Sequence, residues 1–226
     1  MQKQWLNQPS ITRAIVRGSY LLVLAAMLAV PVFQTASAAK FTKPQLDAVR
    51  EITNYFNSIR SMKGVFTQIG PRGRVSNGIF YIVKPGRMRF EYAAPNPFLV
   101  VSDGSWVYVK NRTRKRVDHY PLTATPLRLI LDKKVNFSKE TKIQSIDETS
   151  ELTTVTLKDT SSFASGSLVL VFDKASQTLQ QWIVVDERGR RTTVSISDIE
   201  KGVKPDPKLF KVKLPKSEFK NDSDRN

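Results

Sequence analysis

The sequence predicts a mainly β fold with a small α component: one antiparallel sheet of about eleven strands, an N-terminal helix and a short internal helix. Three observations predict it. Beyond Gly64 the chain divides into β-branched and aromatic runs of strand length, separated by compact turn signals. Helical periodicity occurs once before these runs and once, briefly, among them. The turns are short enough only for meander connections, which pair neighbouring strands antiparallel. A single sheet of about eleven strands has to curl or close.

The first 38 residues stand apart from this pattern. Lys3, Arg13 and Arg17 precede an apolar run from Tyr20 to Val30, and Ala36-Ser37-Ala38 gives the small-residue spacing of a signal-peptidase site. The apolar run is well short of the ~20 residues that span hydrocarbon. Residues 1–38 are therefore read as a cleaved signal peptide, residues 39–215 as one soluble domain, and the polar stretch 216–226 as a disordered tail. With zero cysteines the exported domain must be held by packing alone.

Within the domain, Leu46, Val49, Ile52, Phe56 and Ile59 recur at helical spacing, Thr42 with Gln45 forms a capping-box spacing, and Pro44 sits in the first turn. Strands follow at 65–69, 78–83, 87–92, 99–102, 106–109 and 117–120. Lys84-Pro85-Gly86-Arg87 suits a type II turn, and Ser102-Asp103-Gly104-Ser105 is a two-residue hairpin signal. Thr125 is placed to cap a short apolar helix with Pro126 at its first position and Leu127 to Leu131 as its body. The strands resume at 141–147, 152–158, 167–173, 179–186 and 190–199, the last two joined across Glu187-Arg188-Gly189.

Composition narrows the chemistry. The chain carries one histidine, His119, and no cysteine, which leaves no His-based zinc site and no Cys-His pair. No nucleophile elbow, P-loop or dinucleotide fingerprint is present, so no catalytic residue, metal or cofactor is expected and the chain is read as a non-enzyme. The net charge is +16, and loss of the leader with its three cations leaves +13. For an exported protein an anionic lipid surface is the accessible partner for that charge, and nucleic acid is not. Five of these cations crowd the turn formed by Lys110, Asn111, Arg112, Thr113, Arg114, Lys115 and Arg116. It is read as a docking element for anionic membrane or an acidic partner face, with Arg112, Arg114, Lys115 and Arg116 as the contacts.

The strands place their apolar residues unequally. In 87–92 alternation is strict, with Met88, Phe90 and Tyr92 on one face and Arg87, Arg89 and Glu91 on the other. In 79–83, 106–109, 168–172 and 182–185 both faces are apolar, which calls for cover on each side or a second apolar compartment. Two helices are little cover for such a sheet. Periodicity fits a filled interior and a vacant one equally.

The order Phe66-Thr67-Gln68, Gly78 to Tyr81, Lys84-Pro85-Gly86-Arg87-Met88-Arg89-Phe90-Glu91-Tyr92, Pro95, and Leu99-Val100-Val101-Ser102-Asp103-Gly104 with Trp106 resembles the periplasmic outer-membrane lipoprotein carrier family, LolA. Thr125-Pro126-Leu127-Arg128-Leu129-Ile130 resembles that family's internal helix, and Asp206-Pro207 with Phe210 and Pro215 its closing segment. The resemblance covers about residues 40–215.

It implies an incomplete antiparallel β-barrel whose helices form a lid over a hydrophobic cavity, and no enzymatic activity. It implies a carrier that accepts acylated lipoproteins from an inner-membrane ATP-driven releasing transporter (LolCDE type) and delivers them to an outer-membrane receptor (LolB type) or to the outer membrane directly. A lipid- or lipoprotein-binding sensor on the same scaffold is the alternative. The family's cavity-lining positions fall on Met88, Phe90, Val100, Leu127, Leu129 and Ile130, and Phe66 and Tyr92 join them by strand parity. The family's lid-closing arginine is here Lys84, which keeps the donor and loses the planar fork. A periplasmic monomer is expected.

Overall fold

The computed structural model describes residues 41–114, 116–137, 141–159 and 166–213. The leader expected over 1–38, Lys115, Pro215 and the tail expected over 216–226 lie outside the described residues. Helix α1, Lys43–Ser58, begins as its sequence dictates: the Thr42 hydroxyl accepts from the Gln45 N–H while the Gln45 side chain accepts from the Thr42 N–H. Its Val49, Ile52 and Phe56 are buried.

Eleven strands follow among the described residues: β1 Ser61–Ile69, β2 Val75–Val83, β3 Arg87–Tyr92, β4 Phe98–Asp103, β5 Trp106–Asn111, β6 Arg116–Pro121, β7 Thr141–Glu148, β8 Leu152–Asp159, β9 Ser167–Asp173, β10 Thr178–Val185 and β11 Arg191–Lys201. They form one sheet in the order β6-β5-β4-β3-β2-β1-β11-β10-β9-β8-β7, every neighbouring pair antiparallel. The two ends of the domain thus meet in the middle, where β1 pairs with β11, and β6 and β7 are the free edges of an unclosed sheet.

The sheet is strongly curled. Phe90 on β3 and Trp182 on β10 are four strand-steps apart, about 19 Å in a flat sheet at ~4.8 Å per step. Their ring centroids nevertheless lie 6.1 Å apart. The inner face carries the core: Phe66, Phe80, Phe90, Leu170 and Trp182 pack with Val49, Ile52 and Phe56 of α1. Gly78 permits this packing at one point, because a Cβ there would stand 1.9 Å from the Glu91 carbonyl oxygen and 2.8 Å from the Phe66 ring.

The two-faced strands resolve differently from one another. Residues 168–172 of β9 are all buried, so both faces are covered as expected. Ile79 of β2 and Trp106 of β5 instead face outward and are exposed. On the outer face of β3 and β4 a 3₁₀ turn, Pro207–Phe210, lies as a strap. Asp206 caps it, Phe210 is buried under Arg87, and Arg89 donates to the Leu209 carbonyl at 2.8 Å.

Two local expectations are corrected. The 84–87 turn is not type II: the Lys84–Pro85 bond is cis, and the closing bond runs from Arg87 N–H to Pro85 oxygen around Gly86 at φ +69. Gly86 is also pressed against Gly104, where a Cβ would meet backbone at 2.7 Å. Thr125 does not cap a helix. It ends a 3₁₀ turn, Leu122–Ala124, and helix α2 is only Arg128–Leu131. The N–H groups of Arg128, Leu129 and Ile130 go to the carbonyls of Thr125, Pro126 and Leu127 three residues back, which leaves the Thr125 hydroxyl nothing to accept.

Candidate functional site

Inward-facing residues of the two halves of the sheet do not fully interdigitate. Between them lies a cavity of about 350 Å³, near the lower end of the ~300–1,000 Å³ typical of ligand pockets. Met88, Phe90 and Tyr92 of β3 and Val100 of β4 form one wall. Trp182 and Val184 of β10 with Val194 of β11 form the opposite wall. The segment from Ala124 to Leu127 roofs it.

The structure therefore brings five of the expected residues, Met88, Phe90, Tyr92, Val100 and Leu127, onto one surface. The other three stand behind that surface. Phe66 is buried with its ring 5.0 Å from those of both Phe90 and Tyr92, so it braces the wall. Leu129 and Ile130 of α2 are buried in the core, because a single helical turn points them away from the roof that Leu127 provides. Trp182, Val184 and Val194 were not singled out from the sequence, although Trp182 faces Val194 directly across the β10–β11 pair.

The cavity's polar groups are few. Tyr92 donates from its hydroxyl to the Gln68 side-chain oxygen at 2.7 Å, and burial pushes its pKa up to about 12. Asp186 and Thr192 lie where β10 and β11 connect, and backbone donation from Arg190 holds the Asp186 carboxyl below the usual range. His119 is on the other face of the sheet, exposed, its ring 6.0 Å from that of Tyr108 and 5.4 Å from that of Trp106. A wall of aliphatic and aromatic carbon with a handful of polar groups is suited to hold a hydrocarbon chain.

Lys84 extends from the β2–β3 turn to the end of α1, where its ammonium donates to the Phe56 carbonyl at 3.0 Å. That carbonyl belongs to the last helical turn, where it also accepts from the Ile59 N–H at 3.4 Å, and the C-terminal end of a helix welcomes a cation. Burial lowers the Lys84 pKa, and the nearby Asp132 carboxylate works against that shift. The link from this turn to α2 is made by backbone instead: Gly86 N–H donates to the Leu131 carbonyl at 2.8 Å.

In the basic turn, Arg112 is engaged within the fold, its guanidinium donating to the carbonyls of Tyr92 at 2.8 Å and Pro97 at 3.2 Å. Arg116 pairs with Asp118 at 2.7 Å, and Arg114 is exposed.

The outer membrane lipoprotein carrier protein LolA family matches residues 57–213, most of the chain and both walls of the cavity. The chain belongs to the LolA family. It is 28% identical over 202 residues to an outer-membrane lipoprotein carrier protein of Chromohalobacter salexigens, covering 87% of this chain and 93% of that one. To the protein of the same description from Methylococcus capsulatus it is 26% identical over 206 residues, covering 87% and 93%. Among solved structures, a LolA superfamily protein from Nitrosomonas europaea matches 72% of this chain and 97% of that one, with 10% identity and a TM-score of 0.41. No helix among the described residues is long and apolar enough to cross a membrane.

Proposed function

We propose that this LolA-type chain is a periplasmic carrier, matured by cleavage after Ala38, that encloses the acyl chains of lipoproteins released from the inner membrane and delivers them to the outer membrane. The observation that carries the reading is the carbon-lined cavity between the two halves of an unclosed sheet, roofed by a segment outside that sheet. The need is large: at ~0.8 kcal/mol per buried methylene, one acyl chain resists entry into water by on the order of 10 kcal/mol. A carrier lowers that barrier by offering the chain a dry site. Delivery requires that the destination hold the chain more tightly than the carrier does, which a cavity with few polar contacts favours. Loading from a LolCDE-type transporter and unloading to a LolB-type receptor, or to the membrane itself, set the two ends of that gradient.

Phe90→Glu puts a carboxylate into the wall beside Trp182 and should abolish acyl-protein transfer from inner-membrane vesicles to an acceptor membrane. Undiminished transfer contradicts the carrier reading. The basic turn is proposed to assist by docking on anionic lipid through Arg114, Lys115 and Arg116, since Arg112 already holds the β3–β4 connection. Neutralising Arg114 and Lys115 together should weaken binding to anionic vesicles and flatten its salt dependence, and unchanged binding removes the turn from the mechanism.

A further inference from the structure

The roof of the cavity is fastened to the two halves of the sheet by different kinds of bond. On the side of β2 to β5 the ties are backbone hydrogen bonds: Leu122 N–H to the Ser105 carbonyl and Gly86 N–H to the Leu131 carbonyl, both 2.8 Å. Beyond α2 the chain is tied to α1, with Val135 N–H donating to Asn57 Oδ1 at 2.8 Å and Asn57 Nδ2 to the Val135 carbonyl at 3.0 Å. On the side of β8 the tie is ionic. Arg128, the first residue of α2, donates from Nε to Asp159 Oδ2 at 2.7 Å and from Nη2 to Asp159 Oδ1 at 2.6 Å. Asp159 ends β8, next to the edge strand β7, whereas the roof continues from the opposite edge strand β6. This two-pronged pair therefore crosses the open side of the sheet.

Its surroundings make it decisive. The Asp159 side chain is fully buried and Arg128 is largely so, whereas the other ion pairs resolved among the described residues have carboxylates at least 30% exposed. Two charges taken out of water are held only while both are present and well aligned, so the pair gains little by loosening partway. We propose that Arg128 and Asp159 are the clasp of the cavity: positioning residues that hold the segment from Leu122 to Leu131, whose residues 124–127 are the roof, against the β8 side and so set how fast an enclosed hydrocarbon chain escapes. When the clasp parts, the roof remains attached to β2–β5 through Ser105 and Gly86 and swings on that side. Lys84 does not substitute for it, because its ammonium is engaged with α1.

The proposal rests on the cavity being an acyl site, and two measurements on the protein expressed from the full chain separate the two claims. The first is the dissociation rate of a fluorescent fatty acid, cis-parinaric acid. The second is amide hydrogen exchange of the protein without any ligand. Asp159→Asn should release the probe at least about tenfold faster and accelerate exchange across residues 122–131 while residues 78–82 and 168–172 keep their wild-type protection. Arg128→Lys, which keeps the charge and loses the fork, should shift both readings the same way by less, and it carries the test if Asp159→Asn does not fold. Unchanged release in both variants, or exchange accelerated uniformly through the sheet, overturns the clasp. Failure of the wild-type protein to bind the probe overturns the acyl site instead, and the exchange measurement then judges the clasp by itself.

Discussion

Tyr92 carries a hydroxyl into an oily wall and keeps it there by donating to Gln68, 2.7 Å away. Burial is the larger influence on it, so its pKa stands at about 12 in the folded protein against 10.0 in the unfolded chain. A group whose pKa is raised by folding contributes stability that is complete below the unfolded value and is lost as pH climbs through the folded one. Wild-type protein should therefore lose unfolding free energy between about pH 10 and 12, and Tyr92→Phe should lose less over the same interval in urea titrations. Equal slopes would show that Tyr92 is not desolvated. Thr125 is the contrary case, a hydroxyl buried in the roof with no hydrogen-bond partner. Such an orphan costs ~1–3 kcal/mol. Thr125→Val keeps the shape and removes the orphan, so it should raise stability by roughly 1 kcal/mol, and a fall in the urea midpoint would contradict this. That Thr125 is no helix cap was not legible, because the tight turns that take its neighbours' N–H groups follow from packing and not from local composition.

At the scale of elements, the C-terminal strap and the roof work on opposite faces of β3 and β4. Phe210 is buried on the outer face, where Arg87 lies 5.8 Å over its ring and Val101 is fully covered. Phe210→Ala should cost ~3–5 kcal/mol of stability while leaving the affinity of the folded protein for an acyl chain unchanged, a separation that calorimetry and probe titration measure independently. Parallel loss of both would place the strap in the binding machinery. Strand positions were largely legible, since alternation in Arg87–Tyr92 and unbroken apolarity in Ser167–Asp173 are strong local signals. The early residues of β1 and β2 were not. Lys63, Gly64, Ser76 and Asn77 look like turn residues alone and are drawn into the ladder by partners, Lys63 by Tyr81 and Gly64 by Phe80.

At the scale of the whole molecule, the decisive feature is that β1 pairs with β11 and joins both halves in one sheet, which curls until β3 and β10 face each other. Strand parity told which side chains point inward, so Met88, Phe90 and Tyr92 could be placed on one face. It carries no information on which strand comes to lie opposite, so it does not distinguish Trp182, Val184 and Val194, and it places Phe66 in the wall that Phe66 braces. The central claim is that a hydrocarbon chain lies between those walls. Of the three tryptophans, Trp182 forms part of the cavity wall and is 2% exposed, while Trp106 on the outer face is 41% exposed. A brominated acyl chain quenches indole fluorescence only on contact, so it can be titrated into two variants, Trp5→Phe with Trp106→Phe and Trp5→Phe with Trp182→Phe. Saturable quenching of Trp182 with Trp106 unaffected is the predicted result; quenching of Trp106 with Trp182 untouched would show that the chain binds the outer face and that the cavity is not its site.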